Sequence, residues 1–194
     1  MQEAVPVGAG AMSAILGLDA EAVARACREA LEDDAAAEGD VVSAANLNSP
    51  EQIVIAGNAG AVARAMELAK AAGAKRVVAL PVSAPFHCAL MIPAQRRLAA
   101  DLETTTFRDL ETPLVNNWQA REIHTGAEAR QGLIEQVPNP VRWVEIIRYF
   151  IAQGASRFIE VGAGAVLTGL LRNIDPSLTG KKFGEPADWD KLIE

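Results

Sequence analysis

VVSAANLNSPEQIVIAG, residues 41–57, is the key to this chain's architecture. VVSAANL (41–47) and QIVIAG (52–57) are two β-rich apolar runs. The short polar break NSPE (48–51) between them reads as a turn, so the stretch predicts a β-hairpin. Upstream, GAMSAILGL (10–18) predicts a strand and Asp19 an N-cap. A helix follows from about Ala20 to Leu31, its Val23, Ala26, Cys27, Ala30 and Leu31 recurring at three-to-four spacing. The acidic run EDDAAAEGD (32–40) predicts a loop. Downstream, residues 58–72 predict a helix with Val62, Ala65, Met66 and Ala69 on one side, stopped by Gly73. KRVVALPV (75–82) predicts a further strand. The order is βαββαβ, the ferredoxin-like or split βαβ pattern.

Beyond residue 82 the pattern changes. Residues 88–103 predict a helix interrupted early by Pro93, and TPLVNN (112–117) a short strand. Helices are expected over 126–137 and 141–153, the second carrying Trp143, Ile146, Ile147 and Phe150. SRFIEVGAG (156–164) predicts a strand with a Gly-rich turn, and AVLTGLLRNI (165–174) the helix after it. Alternation of strand and helix implies parallel pairing in an α/β layer. Two strands alone cannot bury both faces of such a layer, so the second part reads as a sheet with strands missing. The expected division is 8–82 for the ferredoxin-like small subdomain and 83–194 for a partial α/β large subdomain.

Composition narrows the function classes. Half of the 194 residues are hydrophobic and 22% are charged, a soluble globular balance. Eighteen Lys and Arg stand against 25 Asp and Glu, a net charge of −7, which argues against a nucleic-acid partner. No run of eighteen apolar residues appears, so no membrane span is expected. MQEAVPVGAGAM lacks the basic and long apolar regions of a signal peptide. Cys27 and Cys88 form neither a disulfide framework nor a zinc pattern. The expectation is a cytoplasmic protein with reduced thiols and no metal or cofactor.

The candidate chemistry lies in LPVSAPFHCALM (80–91), where an apolar run gives way to a helix. His87 is one of only two histidines, and a neutral imidazole at such a junction could activate a Ser or Cys nucleophile. It could equally cap the helix or pack beside Phe86. The chain contains no G-x-S-x-G elbow, and Ser13, Ser43, Ser83 and Ser156 fall in strands or at their ends. Cys88 adjoins His87, but neighbouring side chains diverge. The residues offer a base without a nucleophile. VGAGAVLTGL lacks G-x-G-x-x-G spacing and a P-loop Lys, so its glycines read as a tight turn and close packing. Asn46 and Asn48 read as turn formers at a strand end, or as residues lining an acyl pocket. Lys75 and Arg76 are solvated, or steer an acidic partner. His124 reads as a surface residue.

MQEAVPVGAGAMSAILGL, VVSAANLNSPEQIVIAGN, AKRVVALPVSAPFHCALM, TPLVNN, IEQVPNPVRW and IEVGAGAVLTGLLRNI follow one another along the chain. In this they resemble the C-terminal two-thirds of the bacterial malonyl-CoA:acyl carrier protein transacylases. The resemblance implies an α/β-hydrolase-like large subdomain with an inserted ferredoxin-like one. It implies ping-pong transfer of malonyl from coenzyme A to the phosphopantetheine thiol of acyl carrier protein, in fatty acid biosynthesis. In that family His87 matches the catalytic histidine, base toward a serine and then acid toward the leaving thiol. Gln136 matches a position whose backbone carbonyl holds the other ring nitrogen. Phe86 matches a residue whose bulk favours malonyl over methyl-branched acyl groups. The family's serine elbow, its malonyl-pairing arginine and its oxyanion-hole turn all lie upstream of the MQEAVP segment. This chain, a truncated gene product, a misplaced start or an isolated fragment on that reading, is therefore expected to be inactive alone. The alternative expectation is a non-catalytic module that docks carrier protein or pairs through its sheet like a ligand-binding regulatory domain.

Overall fold

The computed structural model describes residues 1–193. Its first part is a four-stranded sheet in the order β2-β3-β1-β4. The strands are β1 (Gly10–Leu16), β2 (Val42–Ser49), β3 (Gln52–Asn58) and β4 (Arg76–Ala79). Every pairing is antiparallel, and α1 (Ala20–Glu32) and α2 (Ala59–Ala71) connect them in the ferredoxin-like manner. β2 runs on through Ser49, so the hairpin closes over Pro50 and Glu51 alone, tighter than the expected four-residue turn. Asn46 and Asn48 thus lie within a strand, which corrects their reading as turn formers.

The helices form because their apolar residues share one face and their ends are satisfied. The Asp19 carboxylate accepts from the Ala22 amide at 2.8 Å, capping α1. Gly73, at φ +95°, supplies the left-handed residue just past α2. Val23, Ala26, Cys27 and Ala30 of α1 and Ala61, Val62, Ala65 and Ala69 of α2 are buried against Ile15, Val42, Ile53 and Ile55. The many alanines let both helices sit close to the sheet. Burying each large aliphatic side chain here contributes about 1.5–3 kcal/mol. The acidic 32–40 segment is tied back by Arg64, which donates to Asp40 at 2.7 Å and to the Ala30 carbonyl at 2.9 Å.

The opposite face of the sheet joins the two parts. Met12, Ala45, Val54 and Ala56 pack there against Cys88, with Phe86 and Leu90 at the margin. The expected strand to residue 82 stops at Ala79; Leu80 still donates to Met12, and Pro81 then removes a donor. Pro93 does not interrupt a helix. A 3-10 turn, Ala89–Met91, precedes α3 (Ile92–Glu103), and Pro93 sits in the first turn of α3, where its missing N–H costs nothing.

The remaining elements are β5 (Leu114–Val115), β6 (Glu122–Ile123), α4 (Gly126–Glu135), α5 (Trp143–Ala152), β7 (Phe158–Val161), α6 (Val166–Ile174), β8 (Gly180–Phe183) and α7 (Trp189–Ile193). The expected 112–117 strand is two residues long and pairs antiparallel with β6. It does not join β7, whose parallel partner is β8, an element absent from the sequence expectations. Val161 and Val166 are 77% and 70% exposed, and Ile159 and Leu114 are about half exposed. The second part thus has an apolar face that nothing among the described residues covers.

Candidate functional site around His87

Three segments converge on residues 136–142. Helix α4 is anchored at its start by a capping box. The Thr125 hydroxyl accepts from the Glu128 amide at 3.2 Å, and Glu128 accepts in return from the Thr125 amide. The amides of His124 and Thr125, then the Thr125 hydroxyl and Arg121, hold the Glu128 carboxyl down at about 2. At the other end Gln136 closes the helix, its amide donating to the Gly132 carbonyl. Its own carbonyl is one of the acceptors that a helix end leaves free. Past it, Val141 bridges to β2: its amide donates to Ala45 at 2.9 Å, and its carbonyl accepts from Leu47 at 2.8 Å. A β-bulge at Ala45 opens this stretch of β2 to that partner.

His87 meets this junction from the loop after β4. Its Nδ1 lies 2.9 Å from the Gln136 carbonyl oxygen. A carbonyl only accepts, so Nδ1 carries a proton and donates, and in the neutral form of this tautomer the lone pair stands at Nε2. His87 is half-buried with φ at +60°, in the left-handed region that side-chain-bearing residues seldom occupy. Residues kept in that region are concentrated at functional sites. The loop is held locally: Ala84 and Pro85 are buried, and the Cys88 thiol donates to the Pro85 carbonyl at 3.1 Å. β1 passes so close that a Cβ built on Gly10 would sit 2.4 Å from Pro85 Cγ.

The other sequence candidates fall at varying distances from this pair. Phe86 is half-buried and wedged between two clusters, the sheet face around Val54 and a group formed by Val5, Ala84, Met91 and Val137. Asn46 is registered opposite Val54, so it shares the sheet face that packs on Phe86 and Cys88. Asn48 lies at a second irregularity of β2, nearer the turn. His124 is exposed and pairs with Glu122 at 2.9 Å, away from His87. Lys75 pairs with Glu51 at 2.9 Å across the turn end of the sheet.

No hydroxyl or thiol among the described residues is bonded to the His87 ring. Burial pushes the Cys88 thiol up, which keeps it protonated and unreactive. Ser13 is fully buried and donates to the Val78 carbonyl. The Gly-rich segment before α6 is not an open anion site. Glu160 accepts there from the amides of Leu167 and Thr168 and from the Thr168 hydroxyl. Burial opposes its charge, but those donors outweigh it and hold the Glu160 carboxyl below the ordinary range. A phosphate would have to displace that carboxylate. Glu160 escaped the sequence reading because a single acidic residue in a strand carries no helix-cap pattern. No group of His, Cys, Asp and Glu among the described residues is placed to hold a metal ion, and no helix there is long and apolar enough to cross a membrane.

The related sequences and the superposable structures agree with one another. No protein-family model matches the chain. It is 50% identical over all 194 residues to a protein named malonyl CoA-acyl carrier protein transacylase from Escherichia coli K12, and covers 61% of that protein. It superposes on a solved acyl carrier protein S-malonyltransferase from Vibrio cholerae with a TM-score of 0.93 and 46% identity, covering 99% of this chain and 61% of that one. A malonyl-transacylase solved in complex with its type II PKS acyl-carrier protein gives a TM-score of 0.93 at 43% identity, over 99% of this chain and 60% of that one. The chain therefore spans about three fifths of the length of these relatives and has their mixed α/β architecture, a ferredoxin-like unit beside a hydrolase-like one.

Proposed function

We propose that the chain is the His-bearing portion of a malonyl-CoA:acyl carrier protein transacylase. In this reading it supplies the proton-transfer half of a Ser/His ping-pong reaction. The carrying observation is the His87 Nδ1–Gln136 carbonyl bond of 2.9 Å, made in a chain half identical to named malonyl transacylases. A main-chain carbonyl fixes the tautomer here, the role an aspartate has in the serine protease triad.

The chemistry divides into two balanced steps. Nε2 of His87 takes the proton of a serine hydroxyl as its oxygen adds to the malonyl thioester carbonyl. The intermediate collapses, the C–S bond breaks, and the imidazolium returns the proton to the coenzyme A thiolate. In the second step Nε2 takes the proton of the carrier's phosphopantetheine thiol, whose sulfur adds to the malonyl ester. The proton then passes to the departing serine oxygen. Phe86 limits the space beside the acyl group to one without an α-methyl, and Asn46 and Asn48 line the approach from β2.

The sequence holds no G-x-S-x-G elbow, and in this reading the serine nucleophile and the oxyanion donors lie outside it. The two-fifths of the relatives' length that the chain does not span is their proposed source. That segment would also cover the bare apolar face at β7 and α6. Loss of a nucleophile removes several orders of magnitude of rate, so the chain alone should not transfer malonyl from malonyl-CoA to holo acyl carrier protein. Co-expression with the corresponding upstream segment of a relative should restore transfer, and His87→Ala should abolish it again. Transfer that persists undiminished in the His87→Ala complex would overturn the proposal. Carrier-protein binding by the chain with no transfer in any combination would favour the non-catalytic module.

A further inference from the structure

Asn117 has no assigned part in the site, yet it touches the residue that holds His87. Its side-chain amide donates to the Gln136 side-chain oxygen at 3.3 Å. Gln136 is the C-cap of α4, and the chain leaves it into Val137 and Pro138. The amide side of its outgoing peptide is held by a long bond, from the Val137 amide to the Ile134 carbonyl at 3.4 Å. The carbonyl side is held by the His87 Nδ1–H bond, and the Gln136 side chain by the bond to Asn117.

Asn117 is itself held firmly. Its carbonyl accepts from the Arg142 amide at 3.0 Å, and the Arg142 guanidinium reaches the Trp118 and Gln119 carbonyls at 3.5 and 3.4 Å. Arg142 is braced in turn by Glu145, with 2.7 Å between Nε and the carboxylate. The preceding Asn116 is buried and accepts from the Gln119 amide at 2.9 Å, while Gly132 of α4 packs on its side chain. The turn at 116–120 is thus strapped to both α4 and the start of α5.

We propose that Asn117 is a positioning residue that, through the Gln136 side chain, aims the Gln136 carbonyl at Nδ1 and so sets the tautomer of His87. The inference rests on the reading of His87 as the proton carrier, because only the Nδ1–H tautomer leaves Nε2 free to act as base. It extends the site by one layer, from a carbonyl supplied by sequence position to a side chain that keeps that carbonyl in place.

The test reads the tautomer directly. In the full chain labelled with ¹⁵N-histidine, the two ring nitrogens of each histidine resolve the tautomer ratio at pH 9, where imidazole is neutral. His124, exposed and remote, serves as an internal control, and a His124→Gln variant assigns the signals. The wild-type chain is expected to show His87 mainly as Nδ1–H. Asn117→Leu should shift that ratio toward Nε2–H by about fivefold, the equivalent of one ordinary hydrogen bond. Gln136→Leu keeps the main-chain carbonyl and removes the anchor, so it should produce the same shift. The double variant should move no further than either single one. An unchanged His87 ratio in either single variant, or independent multiplying effects in the double, overturns the proposal. If Asn117→Leu fails to fold, Gln136→Leu alone decides. The tautomer readout is independent of acyl transfer. A reconstituted complex without His87-dependent activity would remove the functional reading while leaving the coupling itself standing.

Discussion

Gly10→Ala is the substitution whose consequences the structure states most sharply. Gly10 begins β1, and its missing Cβ is what lets Pro85 lie against the strand. A Cβ there would meet Pro85 Cγ at 2.4 Å and Cδ at 2.5 Å, about 1 Å inside ordinary contact. The proline ring is rigid and buried, so either the strand or the 84–87 loop must shift by roughly that amount. Overpacking of this kind costs about 1–3 kcal/mol. Loss of backbone freedom in the unfolded chain offsets about 0.4–1 kcal/mol of it. The expected net loss centres on about 1.3 kcal/mol within about 0–2.6 kcal/mol, or about 3–5 °C in melting temperature at the centre for a chain of this size. His87 lies two residues beyond Pro85, and its 2.9 Å bond to Gln136 would stretch past about 3.5 Å if the shift propagates. Denaturant unfolding and the ¹⁵N spectrum of His87 measure both effects. Gly169→Ala is the control: nothing lies within 4 Å of its added Cβ inside α6, so helix propensity should stabilise it by about 0.5–1 kcal/mol. A Gly10→Ala chain as stable as wild type, with an unaltered His87 signal, would refute the idea that this contact sets the loop.

The remaining predictions concern α4 and the bare face. Thr125→Ala should cost about 1 kcal/mol by removing a capping side chain, read as a fall of about 2–4 °C in a thermal melt. Glu128, held at about 2 in the folded chain against an ordinary 4.5, stabilises fully above pH 4.5. That contribution is lost as the pH falls toward 2, so Glu128→Gln should flatten the stability profile in that window. Val161→Thr with Val166→Lys should lower concentration-dependent association in sedimentation while leaving stability within about 0.5 kcal/mol, because both side chains are largely exposed.

The ferredoxin-like unit was legible because each of its elements carries its own signal. β3 has an almost continuous apolar run, α1 has a clean apolar face behind an aspartate cap, and Gly73 ends α2. Such signals are local, and periodicity reads them. The second part was legible only as a deficit. β5 and β6 are two residues each, too short for alternation, and β8 is Gly-Lys-Lys-Phe, whose lysines hide the pairing with β7. The expected parallel pairing of the 112–117 strand in the same layer as 156–164 failed for the same reason. Partner choice between short strands is settled by the chain around them, not within them.

Residue order and spacing were enough to show that this chain holds a βαββαβ unit, that its scarce histidine stands at the end of that unit, and that no serine elbow accompanies it. Local spacing and composition suffice for those statements. It took the folded chain to show that the Gln136 carbonyl, 49 residues on, reaches His87, that Asn117 bonds the Gln136 side chain, and that β2 bulges to receive Val141. Those contacts join backbone atoms and side chains from distant segments. A hydrogen bond to a main-chain carbonyl leaves no trace in the identity of the residue that supplies it.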